Sequence, residues 1–146
     1  MRILVCGGRD FANPVSNDYS PENQITKKQY SFVLSELDKL AVQYSKEYKS
    51  DGNWLPTDIT IIEGNAKGVD RAARDWATIN YANLKVFSAD WEKYGKSAGF
   101  IRNQQMLDEG KPDLVVAFPG GTGTADMIRR AKKAGVEVKE IKYDTI

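Results

Sequence analysis

Histidine is absent from the 146 residues, and that absence removes a large part of familiar protein chemistry. There can be no Ser-His-Asp or Cys-His nucleophile, no histidine-based zinc site and no imidazole acid or base at neutral pH. Proton transfer is left to carboxylates, lysine, tyrosine and water. Cysteine is nearly absent too. Cys6, the one cysteine, cannot form an internal disulfide or a cysteine-rich metal site, and its place in the apolar run Ile3-Leu4-Val5-Cys6 reads as core. The carboxylates lack EF-hand spacing, so neither a metal nor a cofactor is expected. A charge excess is also missing: 21 Lys and Arg stand against 20 Asp and Glu, a net +1, which argues against a general binder of nucleic acid or of membrane surfaces. No apolar run approaches the roughly 20 residues that cross a bilayer, and the residues after Arg2 lack a signal-peptide pattern. The chain reads as cytoplasmic. With no repeat, low-complexity tract or linker, its length fits one domain over residues 1–146.

What is present centres on Val115-Val116-Ala117-Phe118-Pro119-Gly120-Gly121-Thr122-Gly123-Thr124. An apolar β-branched run passes into glycines and hydroxyls and then into the amphipathic segment Ile128 to Ala134, which predicts strand, tight loop and helix. Such a junction makes an anion cradle. Glycine lets the backbone approach a ligand closely, and the unpaired N–H groups of a helix start attract phosphate or carboxylate. A plain connecting turn is the competing reading. A second glycine pair, Gly7-Gly8, follows the opening apolar run and favours the cradle. In a doubly wound sheet these two strands would lie side by side where the strand order reverses, which is where ligands bind.

The remaining pattern alternates. Strands are predicted at Asp58–Glu63, Leu84–Ala89 and Val136–Tyr143, and helices at Lys27–Tyr48, Val69–Tyr81 and Lys96–Asp108. The fold class is therefore α/β, a Rossmann-like doubly wound domain with a mainly parallel sheet of about five strands. An irregular insertion rich in Asn, Pro, Ser and Asp, at about residues 11–26, could fold over the ligand mouth or be a surface loop. Lys49–Thr57 reads as a polar connector whose Trp54 packs on its own loop.

Two motifs are decoys. Gly95-Lys96-Ser97 resembles the end of a P-loop, but Asp90 holds the position of the required glycine. Gly121-x-Gly123 begins like a dinucleotide fingerprint, yet Asp126 occupies the third glycine position and the loop follows a late strand. Trp91 and Tyr94 could stack on a base or serve as core or edge aromatics. Arg129, Arg130, Lys132 and Lys133 read as a solvated helix face.

Several ordered blocks together carry a resemblance: Gly7-Gly8-Arg9-Asp10-Phe11, Glu63-Gly64-Asn65-Ala66-Lys67-Gly68-Val69-Asp70, Ala89-Asp90-Trp91, Ala98-Gly99-Phe100-Ile101-Arg102-Asn103, and Phe118 to Thr124. The chain resembles the small SLOG-superfamily proteins of the YspA/YpsA-related group, distantly similar to the cytokinin-activating LOG phosphoribohydrolases. The resemblance implies a Rossmann-like fold, binding of nucleotides or nucleotide-derived molecules such as ADP-ribose-like signals, and frequent homo-oligomers. It also implies a possible N-glycosidic hydrolysis that uses an arginine and the glutamate of Pro-Gly-Gly-x-Gly-Thr-x-x-Glu. Arg102 matches that arginine, whereas Met127 stands at the glutamate. Glu63 and Asn65 replace the commoner His and Gly, and Phe100 replaces a usual Pro.

The residues and the resemblance together predict a ligand site made of Gly7, Gly8, Arg9, Gly64, Asn65, Arg102, Asn103, Pro119, Gly120, Gly121, Thr122, Gly123 and Thr124, with Gly64, Asn65 and Asn103 implied by the resemblance alone. Arg102, with its planar fork, suits two phosphate oxygens at once. Asp70 could fix Arg102 or cap its own helix. The first expectation is a sensor, carrier or sequestering protein for a nucleotide-derived small molecule. The alternatives are a nucleoside-monophosphate hydrolase with catalytic candidates Arg102, Asp126, Glu63 and Asp70, and a protein-interaction adaptor with a vestigial pocket.

Overall fold

The computed structural model describes residues 1–47 and 55–144. Among them five strands form one parallel sheet in the order β3-β2-β1-β4-β5, with β1 at Arg2–Cys6, β2 at Thr60–Glu63, β3 at Asn83–Val86, β4 at Leu114–Ala117 and β5 at Glu137–Glu140. The helices are α1 (Pro21–Tyr44), α2 (Val69–Ile79), α3 (Trp91–Tyr94), α4 (Ala98–Gly110) and α5 (Thr122–Lys133), and a short 3₁₀ turn at Gly95–Ser97 joins α3 to α4. The fold is a Rossmann-like, doubly wound α/β arrangement.

Strand composition follows position in the sheet. The central strands β1 and β4 are covered on both faces and read as unbroken apolar runs. Alternate residues of β1 serve opposite layers, as the two-residue period of a strand requires. Ile3 and Val5 join a core with Val33 and Leu37 of α1 and Ala73 and Trp76 of α2, while Leu4 and Cys6 join one with Met106 of α4 and Met127 of α5. Each fully buried side chain of this kind contributes about 1.5–3 kcal/mol relative to exposure. The edge strands β3 and β5 are mostly exposed and carry Lys85 and Lys139, charges that discourage further strand pairing.

The regular elements differ from expectation mainly at their ends. Helix α1 starts at Pro21, so the irregular stretch after β1 ends near Ser20 and not Thr26. Ser20 is its N-cap, accepting from Asn23 N–H at 3.2 Å, and Pro21 occupies the first turn, where a missing N–H costs nothing. The helix ends at Tyr44 with Ser45 as its C-cap, short of the expected Tyr48; Tyr48 itself and Trp54 lie outside the described residues. Strand β3 stops at Val86 and β5 at Glu140. Beyond β5, Tyr143 leaves the sheet and packs edge-on against Phe11 and Phe32, with ring centroids 5.3 and 4.9 Å apart.

Candidate functional site

The strand order places β1 beside β4, and the helices that follow them, α1 and α5, leave on opposite sides of the sheet. Their loops separate at this switch point. Gly8 N–H donates to the Pro119 carbonyl at 2.9 Å, drawing the two loops together, and only glycine permits the approach. A Cβ on Gly8 would lie 3.2 Å from Gly120 Cα, and one on Gly120 would lie 2.2 Å from Thr124 Oγ1 and 2.7 Å from Gly8 N. Gly68, at φ +80°, brings the start of α2 against the Gly8 and Arg9 carbonyls. Gly7 is pressed on Val69, where a Cβ would meet Cγ2 at 2.5 Å.

Above these loops opens a cavity of about 720 Å³, within the size range of small-ligand sites. One wall is the start of α5. Gly121 caps the helix without any side-chain cap, and the first N–H groups of an α-helix have no intrahelical partner. A Cβ at Gly121 or Gly123 would meet no atom within 4 Å, so this wall is open. Thr122 is exposed at the same place, and Thr124 is buried beneath it.

The opposite wall is α3 and α4. Arg102 reaches from α4 into the cavity, its Nη1 donating to the Gly64 carbonyl and its Nε to Asn103 Oδ1 at 3.3 Å. Burial lowers the Arg102 pKa, and Asp70 opposes that shift. Asn103 ties α4 to the cradle, because its Nδ2 donates to the Gly123 carbonyl at 3.1 Å and to Asp126 Oδ2 at 3.0 Å. Arg9 lies over the Trp91 ring, 5.1 Å from its centroid. Asp70, Lys96, Phe100 and Cys6 complete much of the lining. Burial raises the Cys6 thiol pKa far above its usual range, so the thiolate needed for nucleophilic work is suppressed.

Most of the residues expected to bind ligand therefore face one cavity: Gly7, Gly8, Arg9, Arg102, Asn103 and the whole segment Pro119 to Thr124. Gly64 and Asn65 do not line it. Gly64 stands behind Arg102, where a Cβ would fall 2.6 Å from Nη1. Asn65, at φ +60°, directs its amide to Ser88 Oγ at 2.8 Å and its carbonyl oxygen to Arg74.

The carboxylate candidates separate in the same way. Glu63 is fully buried away from the cavity, paired with Arg74 at 3.0 Å and accepting Asn65 N–H at 3.2 Å; burial and then the charge of Asp70 push it up to about 7. Asp126 is buried behind the cradle, where it accepts from Asn103, Arg129 at 2.5 Å and Arg130 at 2.8 Å. Those two arginines fold back on Asp126, so the basic end of α5 is not simply a solvated face. Asp70 alone of the three carboxylates lines the cavity. It accepts Gly64 and Ala66 N–H groups, both at 3.2 Å, and burial pushes it up to about 6 against the pull of those bonds and of Arg102. Met127 is fully buried in the core beneath α5, so the position matched to the LOG glutamate does not face the cavity.

The predicted ligand set leaves out Cys6, Asp10, Phe11, Ala66, Lys96, Gly99, Phe100 and Met106, which also line the cavity. Asp10 and Phe11 could have been found from their place next to Gly7-Gly8-Arg9, and Gly99 and Phe100 from theirs beside Arg102-Asn103. Lys96, on the 3₁₀ turn before α4, stands in the Gly95-Lys96-Ser97 motif that reads as a decoy. From Ala12 on, the loop after β1 is fastened to α1: Ala12 N–H donates to Gln29 Oε1 at 3.0 Å, Asn13 N–H to Thr26 Oγ1 at 2.7 Å and Val15 N–H to Asn23 Oδ1 at 2.8 Å. Tyr94 is exposed outside the cavity.

A parallel doubly wound sheet with a glycine-lined cavity at its switch point defines the class, a Rossmann-like domain. Residues 1–94 match the model of the YspA, cpYpsA-related SLOG family, and the chain belongs to that family. It is also similar to the Gene 61 protein of Mycobacterium phage D29, with 38% identity over 90 residues, 57% of this chain and 71% of that relative. No solved structure matches the chain significantly. No helix among the described residues is long and apolar enough to cross a membrane.

Proposed function

We propose that the chain binds a nucleotide-derived small molecule through its phosphate, as a sensor, carrier or sequestering protein. The observation that carries this reading is the convergence on one cavity of the open α5 N-terminus at Gly121–Thr124 and the Arg102 guanidinium. Helix-start N–H groups and a forked guanidinium are both donor-only and suited to an anion. Membership of the SLOG family supports the same reading. Titration of AMP, ADP-ribose and ribose 5-phosphate by calorimetry tests it. Saturable binding of at least one is expected, and no heat from any of the three would overturn it.

The second reading is hydrolysis of a nucleoside monophosphate, favoured by one observation: Asp70 is a buried carboxyl on the cavity wall with its pKa raised to about 6. In that reaction water replaces the base at the sugar carbon, giving free base and ribose 5-phosphate. A carboxylate there would stabilise the developing oxocarbenium ion. Release of adenine from AMP that disappears in Asp70→Asn supports hydrolysis. Binding without base release leaves the first reading.

A further inference from the structure

Trp91 is 48% exposed, yet it is no isolated surface aromatic, because its ring forms part of the cavity wall. Gly99 of α4 packs beside it: a Cβ there would be in ordinary van der Waals contact, 3.4 Å from Trp91 Cη2 and 3.9 Å from Arg102 Nη2. The indole and the guanidinium therefore lie on one wall, both beside Gly99. The Arg9 guanidinium, a planar group, lies over the indole 5.1 Å from its centroid. Arg9 is exposed as well, and such a contact between exposed partners is weak. A flat group thus already covers the face of Trp91 at the rim of a site whose floor suits a phosphate.

We propose that Trp91 is the stacking platform for a planar aromatic ring, the base of the nucleotide-derived ligand, and that Arg9 holds the place this ring takes. When the ring stacks on the indole, Arg9 leaves it for solvent or for the ligand's anionic end. The inference rests on the phosphate-binding reading and narrows it, from a nucleotide-derived molecule held by its phosphate, ribose 5-phosphate included, to one that keeps its base. Aromatic platforms of this kind favour stacked bases with little regard to base identity.

The test compares AMP with ribose 5-phosphate, the same sugar phosphate without the base, by calorimetry on the full chain, Trp91→Ala and Trp91→Phe. AMP is expected to bind about tenfold more tightly than ribose 5-phosphate to the native chain. Trp91→Ala should erase that preference by weakening AMP alone, and Trp91→Phe should keep most of it. A second readout does not depend on the alanine variant folding: AMP should quench tryptophan fluorescence, ribose 5-phosphate should not, and the difference should vanish in Trp91→Phe. Equal affinities on the native chain, a preference that survives Trp91→Ala, or equal weakening of both ligands in that variant would overturn the platform while leaving the phosphate cradle standing. If neither ligand binds the native chain, the platform fails, and the phosphate reading fails with it when ADP-ribose gives no heat either.

Discussion

At the scale of the residue, Arg102 is where structure and binding meet, since one guanidinium donates to the Gly64 carbonyl and faces the cavity. Lysine keeps the charge but loses the fork. Arg102→Lys should therefore weaken AMP or ribose 5-phosphate binding by about 1–3 kcal/mol, the worth of a charge-assisted hydrogen bond. Gly64→Ala should do the same indirectly, because its Cβ would fall 2.6 Å from Arg102 Nη1 and push the side chain aside. Calorimetry beside thermal melting separates the cases: if Tm falls with affinity unchanged in the folded protein, Arg102 is structural only. Met127 carries the opposite lesson. The match to Pro-Gly-Gly-x-Gly-Thr-x-x-Glu suggests that Met127→Glu would restore a catalytic carboxylate, but Met127 is fully buried among Leu4, Cys6, Met106 and Val115. An unpaired carboxyl there lacks both water and a cation, so Met127→Glu should cost several kcal/mol of stability. Urea unfolding gives the value, and a variant as stable as the native chain would contradict the placement.

At the scale of the element, the two glycines of one loop make a controlled pair. A Cβ at Gly121 meets nothing within 4 Å, whereas one at Gly120 strikes Thr124 Oγ1 and Gly8 N. Gly121→Val should leave the melting temperature within a few degrees, a surface-like effect of about 0.5 kcal/mol, while reducing AMP affinity at least tenfold by filling the approach to the helix N–H groups. Gly120→Ala should lower stability itself, because the β1 and β4 loops must part. Affinity for AMP unchanged in Gly121→Val would move the ligand off α5. Legibility in the sequence followed the same local logic. The strand-loop-helix at Val115–Thr124 and the β1 glycines could be read because a change of period and a run of glycines are written in adjacent residues. The start of α1 is written in Ser20-Pro21-Glu22, an N-cap serine, a first-turn proline and an acidic first-turn residue, but it lies in a stretch rich in Asn, Pro, Ser and Asp whose composition reads as a loop. Asp126 stands one residue from the glutamate position that Met127 fills, a rotation of about 100° on a helix that should point it elsewhere, whereas nothing in the sequence separates Glu63 from Asp70 as catalytic candidates. Which of those two faces the cavity depends on tertiary partners such as Arg74, 11 residues from Glu63, which no local pattern records.

At the scale of the whole molecule, the buried carboxyls couple folding to pH. Glu63 is pushed up to about 7 and Asp70 to about 6, both chiefly by burial, so between their unfolded values near 4 and these folded values the native state holds more protons than the unfolded chain. Stability from these groups is therefore fully present below their unfolded pKa values and is lost as pH rises through about 6 to 7. Asp18 and Asp58 act in the other direction. Hydrogen bonds from Ser20 lower Asp18; those from Ser45 and Lys46, against the opposing effect of burial, lower Asp58. Their contribution is present above their unfolded values and fades only in more acidic solution. The two sets combine into a stability maximum near the unfolded carboxylate values, in clearly acidic solution, and a decline that runs on between about pH 5 and pH 8. Glu63 is the sharper probe because it lies outside the cavity. Glu63→Gln removes its titration while keeping an acceptor for Arg74, so the decline between those two pH values should become shallower without a change in AMP affinity. Urea unfolding of both proteins across that range measures the slopes. Equal slopes would mean that Glu63 is ionised throughout, held by Arg74 and not governed by burial, and a lost affinity would place it in communication with the ligand after all.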